Sequence, residues 1–192
     1  MIRGIIFDCF GVLHLDTNSA YFARFPGHHE ELHSLNVRAD HGFIDKVDYL
    51  KEAAAIIGVT PQEIANGIAV ESTLNRPLAD YIERTLKPHY KMALLSNIGR
   101  GWINDFFDEH QLHDLFDEVV LSNEEGITKP NPLAFQHAAD RLGLSPDECV
   151  MIDDREENCA GARAAGMTAI NFSSNEALYR ELERLLNQKE KP

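Results

Sequence analysis

The apolar positions of this chain fall into short runs of strand-forming residues, separated by longer stretches with helical spacing. Ile2–Phe7 is such a run, and it ends abruptly on Asp8 and the turn Cys9-Phe10-Gly11. From residue 90 onward the two kinds of stretch alternate. Strands are expected over Tyr90–Leu95, Glu118–Leu121, Val150–Ile152 and Thr168–Phe172. Helices are expected over Ile103–His110, Pro132–Leu142, Glu156–Ala165 and Glu176–Asn187, with Pro opening one of them and Gly closing others. This alternation predicts an α/β fold, a Rossmann-like parallel sheet with helices on both faces. Right-handed crossovers bring the carboxyl ends of the strands to one edge, so Asp8, Ser96, Ser122 and the pair Asp153-Asp154 should converge there.

The rhythm fails between about residues 14 and 74. Nothing in that stretch patterns as a sheet strand, whereas Val47–Gly58 and Pro61–Ser72 have helical spacing and punctuation. The expectation is an α/β core made of residues 1–13 and 75–192, with 14–74 inserted as a helical-bundle cap over the catalytic edge. Tyr21, Phe22 and Phe25 are spaced to pack a small core of that cap. Trp102, Phe106 and Phe107 read as core or rim aromatics, Arg180–Arg184 as a solvated helix face and Gln188–Pro192 as a fraying tail.

The 192 residues suffice for one good core and a small insertion. A formal charge of -13 argues against nonspecific nucleic-acid or anionic-membrane binding, and no apolar stretch approaches membrane-spanning length. An anionic small substrate would need positive charge concentrated locally by a cation, a lysine and helix N-termini. Cys9, Cys149 and Cys159 lack CxxC spacing and read as reduced core thiols with no zinc. The N-terminus is too soon interrupted by Asp8 for a signal peptide, so a cytoplasmic protein, monomeric or weakly dimeric, is expected. His28, His29, His33 and His41 read as solvated cap surface, with contact to a substrate phosphate as the lesser reading.

An aspartate at one strand end is usually a turn or N-cap residue. Asp8 and Asp153-Asp154 together imply a metal and a nucleophile. Four separated signatures then resemble the haloacid dehalogenase superfamily over nearly the whole chain: Phe7-Asp8-Cys9-Phe10-Gly11-Val12, Leu94-Leu95-Ser96-Asn97, Thr128-Lys129-Pro130-Asn131-Pro132, and Ile152-Asp153-Asp154 followed by Asn158 and Gly161-Ala162. The resemblance implies a phosphatase-like branch with a small helical cap. It implies that Asp8 is the nucleophile, that Asp8, the Phe10 main-chain carbonyl and Asp154 ligate Mg²⁺, and that Asp153 acts through metal waters or orients the ligands. Ser96 and the Asn97 amide are the implied phosphate donors, and Lys129 supplies charge stabilisation from a loop with little packing of its own.

The sequence departs from the family's phosphatase pattern at Phe10, where a second aspartate usually serves as general acid and base. Either the leaving groups need little protonation, as with anomeric sugar phosphates, or a nearby residue such as Asp16 or His14 substitutes. The expected function is Mg²⁺-dependent hydrolysis of a small phosphorylated metabolite, sugar phosphates among the candidates, through an aspartyl-phosphate. The alternatives are a metal-free 2-haloacid dehalogenase using Asp8, for which two adjacent acids beside the nucleophile would be an unrelieved repulsion, and a weakly active or noncatalytic binding protein.

Overall fold

The computed structural model describes residues 1–15, 21–71 and 73–187. In chain order the first half runs β1 (Gly4–Phe7), β2 (His14–Leu15), α1 (His29–Asp40), α2 (Lys46–Ile57), α3 (Pro61–Glu71), β3 (Thr73–Leu74) and α4 (Arg76–Tyr81), which continues as a π turn over Ile82–Leu86. The second half runs β4 (Lys91–Ser96), α5 (Ile103–Phe106), α6 (Glu109–Leu115), β5 (Glu118–Leu121), α7 (Ser122–Glu125), α8 (Pro132–Arg141), β6 (Cys149–Asp153), α9 (Glu156–Ala164), β7 (Thr168–Asn171) and α10 (Asn175–Leu186).

Five strands form one parallel sheet in the order β5-β4-β1-β6-β7. Successive residues of each strand point to opposite faces, and both faces are covered. Ile5, Phe7, Met92, Leu94, Val150 and Ile152 join one apolar cluster with Leu78, Ile82, Leu178 and Leu182. Ile6, Ala93, Leu95 and Met151 join another with Phe135, Ala138 and Ala162. The chain builds leftward from β1 through β4 to β5, then returns to the other side of β1 for β6 and β7. β1 therefore sits at the topological switch point, where an open α/β sheet leaves a crevice beyond its strand ends.

The structure differs from the sequence expectation in three places. Residues 14–74 do contain strands: β2 and β3 pair antiparallel, His14 with Leu74 and Leu15 with Thr73, as a short ribbon at the base of the helical segment. The helix expected over Ile103–His110 breaks at Phe107, whose φ of -134° and ψ of 141° are extended, and restarts behind an Asp108–Gln111 capping box. Helices α1, α4 and α7 occupy stretches that had no assignment.

Helix α2 begins on Asp45, whose carboxylate accepts from the Asp48 amide at 2.9 Å, and ends on Gly58 at φ 77°. Tyr21, Phe22, Leu32, Leu35, Tyr49, Ala53, Ile64 and Ile68 share an apolar cluster that also takes in Ile98, Trp102 and Leu121 from the sheet side. The helical segment is thus packed onto the strand-end edge of the sheet. The three cysteines are buried and free. Gln188–Pro192 lie outside the described residues.

Candidate active site

Each chemical group at the crevice is held by an element that ends there. Asp8 follows the last residue of β1, and its amide still donates to Ile152 O at 2.9 Å, so its position belongs to the sheet. Its Oδ1 accepts from the Cys9 amide at 2.7 Å and from Lys129 Nζ at 2.7 Å. Lys129 Nζ also donates to Asp153 Oδ2 at 2.7 Å, so one ammonium spans two carboxylates from adjacent strands. Asp153 is further tied by the Arg155 amide at 2.9 Å and by Asn158 Nδ2 at 2.9 and 3.0 Å. Asp153 is wholly buried, whereas Asp154 faces a cavity.

One carboxylate oxygen from each of Asp8, Asp153 and Asp154 lies within 4.8 Å of the other two. Burial pushes Asp8 up to about 7, with Lys129 opposing that shift and Asp153 and Asp154 adding to it. Asp154 is raised for the same two reasons, burial first and the charge of Asp153 second. Burial pulls Lys129 down, but Asp8 and Asp153 outweigh it and hold the ammonium above its ordinary value. Gly11 is required where it stands: at φ 87° a Cβ would collide with the Asp154 carboxylate. An oxygen-only set of this kind fits Mg²⁺, whose charge would offset the crowding of anions.

Ser96 closes β4 fully buried, and its Oγ has no hydrogen-bond partner among the described residues. Asn97 follows it, and its side chain acts on the protein itself: Oδ1 accepts from Lys129 N at 2.8 Å and Nδ2 donates to Lys129 O at 2.9 Å. This clamp fixes the lysine loop to the end of β4. Gly161 lets α9 press against the Pro130 carbonyl, which holds the same loop from the other side.

Several expectations change here. Lys129 is 4% exposed and wedged between charges, not a loop lysine with little packing. His29 and His33 are exposed on α1 but line the cavity, with stacked rings 6.3 Å apart, so they are part of its wall and not simply solvated surface. His14 is not among the cavity-lining residues. It is buried with its ring edge-on to Phe106 and Phe107, and burial lowers its pKa to about 4, which ill suits it to donate a catalytic proton. Asp16 lies outside the described residues. Phe10 lines the cavity with its ring edge-on to Phe106, centroids 4.9 Å apart.

The cavity, about 1020 Å³, runs from Asp8 and Lys129 up to α1. Phe10, Phe22, Phe25, Tyr49, Trp102 and Phe106 form much of its wall. Asp40, at the end of α1, also lines it and had escaped notice in the sequence. The available signal was an acid in the last turn of a helix, where the macrodipole disfavours negative charge.

An acidic centre at the switch point of a five-stranded parallel sheet is where an open α/β protein places its chemistry. The family model for haloacid dehalogenase-like hydrolases matches residues 2–166, and the chain belongs to that family. Over 73 residues it is 41% identical to the glyceraldehyde 3-phosphate phosphatase of Methanopyrus kandleri, a match covering 38% of this chain and 30% of that protein. The part of the chain that matches therefore spans less than a third of that relative's length. Among solved structures, a predicted HAD-like family hydrolase from Porphyromonas gingivalis superposes with a TM-score of 0.81 at 26% identity, over 98% of this chain and 100% of the other. A HAD family enzyme from Bacteroides thetaiotaomicron, solved with magnesium and inorganic phosphate, shares the fold with a TM-score of 0.76 at 22% identity, over 91% and 96%.

Proposed function

We propose that the protein is a phosphatase that hydrolyses a small phosphorylated metabolite, with Asp8 as nucleophile and Mg²⁺ held by Asp8, Asp154 and the Phe10 main-chain carbonyl. The observation that carries this reading is the carboxylate triplet within 4.8 Å, a repulsion that a divalent cation relieves and that a metal-free dehalogenase has no use for. The named phosphatase relative and the magnesium and phosphate bound to a fold neighbour support it.

Bound there, the cation would screen the phosphoryl group from the attacking carboxylate. Asp8 forms a bond to phosphorus and carries the phosphoryl group until water removes it. The Ser96 hydroxyl and the Asn97 amide receive phosphoryl oxygens, and Lys129 offsets the charge of the site. Asp153, saturated by Lys129, Asn158 and the Arg155 amide, orients its neighbours, which leaves Asp154 as the direct ligand. Residues 14–74 act as a cap whose aromatic wall suits the face of a sugar or another compact ring.

A screen of phosphorylated sugars, nucleotides and acids should give phosphate release that stops in excess chelator and returns with Mg²⁺. Asp8→Asn and Asp154→Asn should each lose at least ~10²-fold in turnover, the scale of losing a group that acts on the reacting atoms. Turnover unaffected by the chelator, with halide release from 2-haloacids, would refute the proposal.

A further inference from the structure

With phenylalanine at position 10, the proton for the leaving oxygen needs another source. In an in-line displacement the leaving oxygen departs on the side of phosphorus opposite the attacking group. Asp8 attacks from the sheet, so the leaving group lies in the cavity toward α1. Asp40 is the last residue of α1 and shares that cavity with Asp8, Phe10 and Lys129. Its place is fixed from the core: Ser122 Oγ, just past β5, donates to the Asp40 carbonyl at 2.6 Å and accepts from the Ile98 amide at 3.0 Å. Gly42, two residues on, lies against the Asn123 carbonyl so closely that a Cβ would stand 2.5 Å from its oxygen. Among the described residues, the Asp40 carboxylate accepts no hydrogen bond.

We infer that Asp40 is the general acid and base of this enzyme, supplying from α1 the carboxyl group that the core lacks two residues after Asp8; the inference rests on the phosphatase reading above. As an Asp8 oxygen bonds to phosphorus, the bond from phosphorus to the leaving oxygen breaks. The leaving oxygen keeps the electron pair and takes the proton of the Asp40 carboxyl. In the second half, the Asp40 carboxylate takes a proton from water as that water's oxygen bonds to phosphorus. The bond between phosphorus and Asp8 then breaks, inorganic phosphate departs, and both aspartates return to their starting forms.

Burial lifts the Asp40 carboxyl to about 6, against the pull of His41, Arg155 and Lys129, the basic side chains that bear on it. Its place in the last turn of α1 disfavours the anion further. A carboxyl so tuned keeps an appreciable protonated fraction near neutral pH, far more than an ordinary aspartate, and gives the proton up readily. The other titratable residues of α1 that line the cavity are less well placed. His33 and His29 precede Asp40 by seven and eleven residues, about 10 and 17 Å along the helix axis.

Asp40→Asn should be compared with the wild type on an alkyl phosphate, whose leaving oxygen needs a proton, and on p-nitrophenyl phosphate, whose leaving oxygen does not. The expected result is a loss of about 10²–10⁴-fold in kcat/KM on the alkyl ester and only a few-fold in kcat/KM on the aryl ester, because kcat/KM runs only through leaving-group departure, whereas kcat also includes hydrolysis of the shared intermediate and falls on both. Should Asp40→Asn fail to fold, Asp40→Glu, which displaces the same group by one methylene, is judged by the same contrast. Equal losses of kcat/KM on both esters, no loss on either, or a selective loss of kcat/KM on the alkyl ester in Asp16→Asn but not at Asp40 would overturn the inference. If the wild type releases phosphate from neither ester nor from any substrate of the wider screen, the phosphatase reading itself fails and takes this inference with it.

Discussion

Lys129 concentrates the energetics of the site in one residue. Its ammonium lies 2.7 Å from both Asp8 and Asp153 with almost no solvent. Removing one partner of a buried ionic group leaves uncompensated charge, typically about 3–5 kcal/mol. Lys129→Met should come in at the low end, about 3 kcal/mol by denaturant titration of the metal-free protein, because Asp8, already pushed up to about 7, can take up a proton. Its turnover should fall at least ~10²-fold. An unchanged stability would mean that the ammonium is solvated in solution. The sequence made Lys129 visible through its order among the four signatures, but not its burial, since a Thr-Lys-Pro-Asn stretch is polar by composition and enclosed only in three dimensions. Asp40 was hidden for the complementary reason. It sits in an ordinary polar helix, and only the folding of α1 onto Ser122 brings it over Asp8's cavity.

Among the elements, the end of β4 and the loop carrying Lys129 behave as one piece because the Asn97 side chain bonds both the amide and the carbonyl of Lys129. Asn97→Ala should therefore reduce stability by about 2 kcal/mol, since it leaves a partly buried amide and carbonyl without partners. It should lower kcat by up to ~10²-fold through misplacement of the ammonium, although Asn97's side chain does not touch the carboxylates. A rise in KM alone with kcat intact would contradict the clamp. The strands and helices after residue 90 were legible because they are long enough to show their period and are punctuated at their ends. The ribbon of β2 and β3 was not, because strands of two residues carry no pattern. The break at Phe107 could have been read: Asp108 and Gln111 spell a helix start inside what the spacing alone makes one helix.

On the scale of the whole molecule, a formal charge of -13 surrounds a site proposed to bind a dianion. At ~0.01 M salt the field reaches about 30 Å, and at 0.15 M about 8 Å. At saturating Mg²⁺, kcat/KM should therefore rise a few-fold with ionic strength over that range as the long-range repulsion is screened, the reverse of a steered encounter. A falling kcat/KM would show that the cations around the cavity already dominate the approach.

The hydroxyl of Ser122 has a consequence of another kind. It pins one end of α1 to the sheet while the other end, some 17 Å away at about 1.5 Å per residue, carries the histidines that wall the outer cavity. Divergence can rewrite the outer turns of α1, and with them the identity of the molecule admitted, without disturbing the proton donor proposed at the inner turn. The chemistry and the choice of substrate are placed on one helix yet are free to drift apart over evolutionary time.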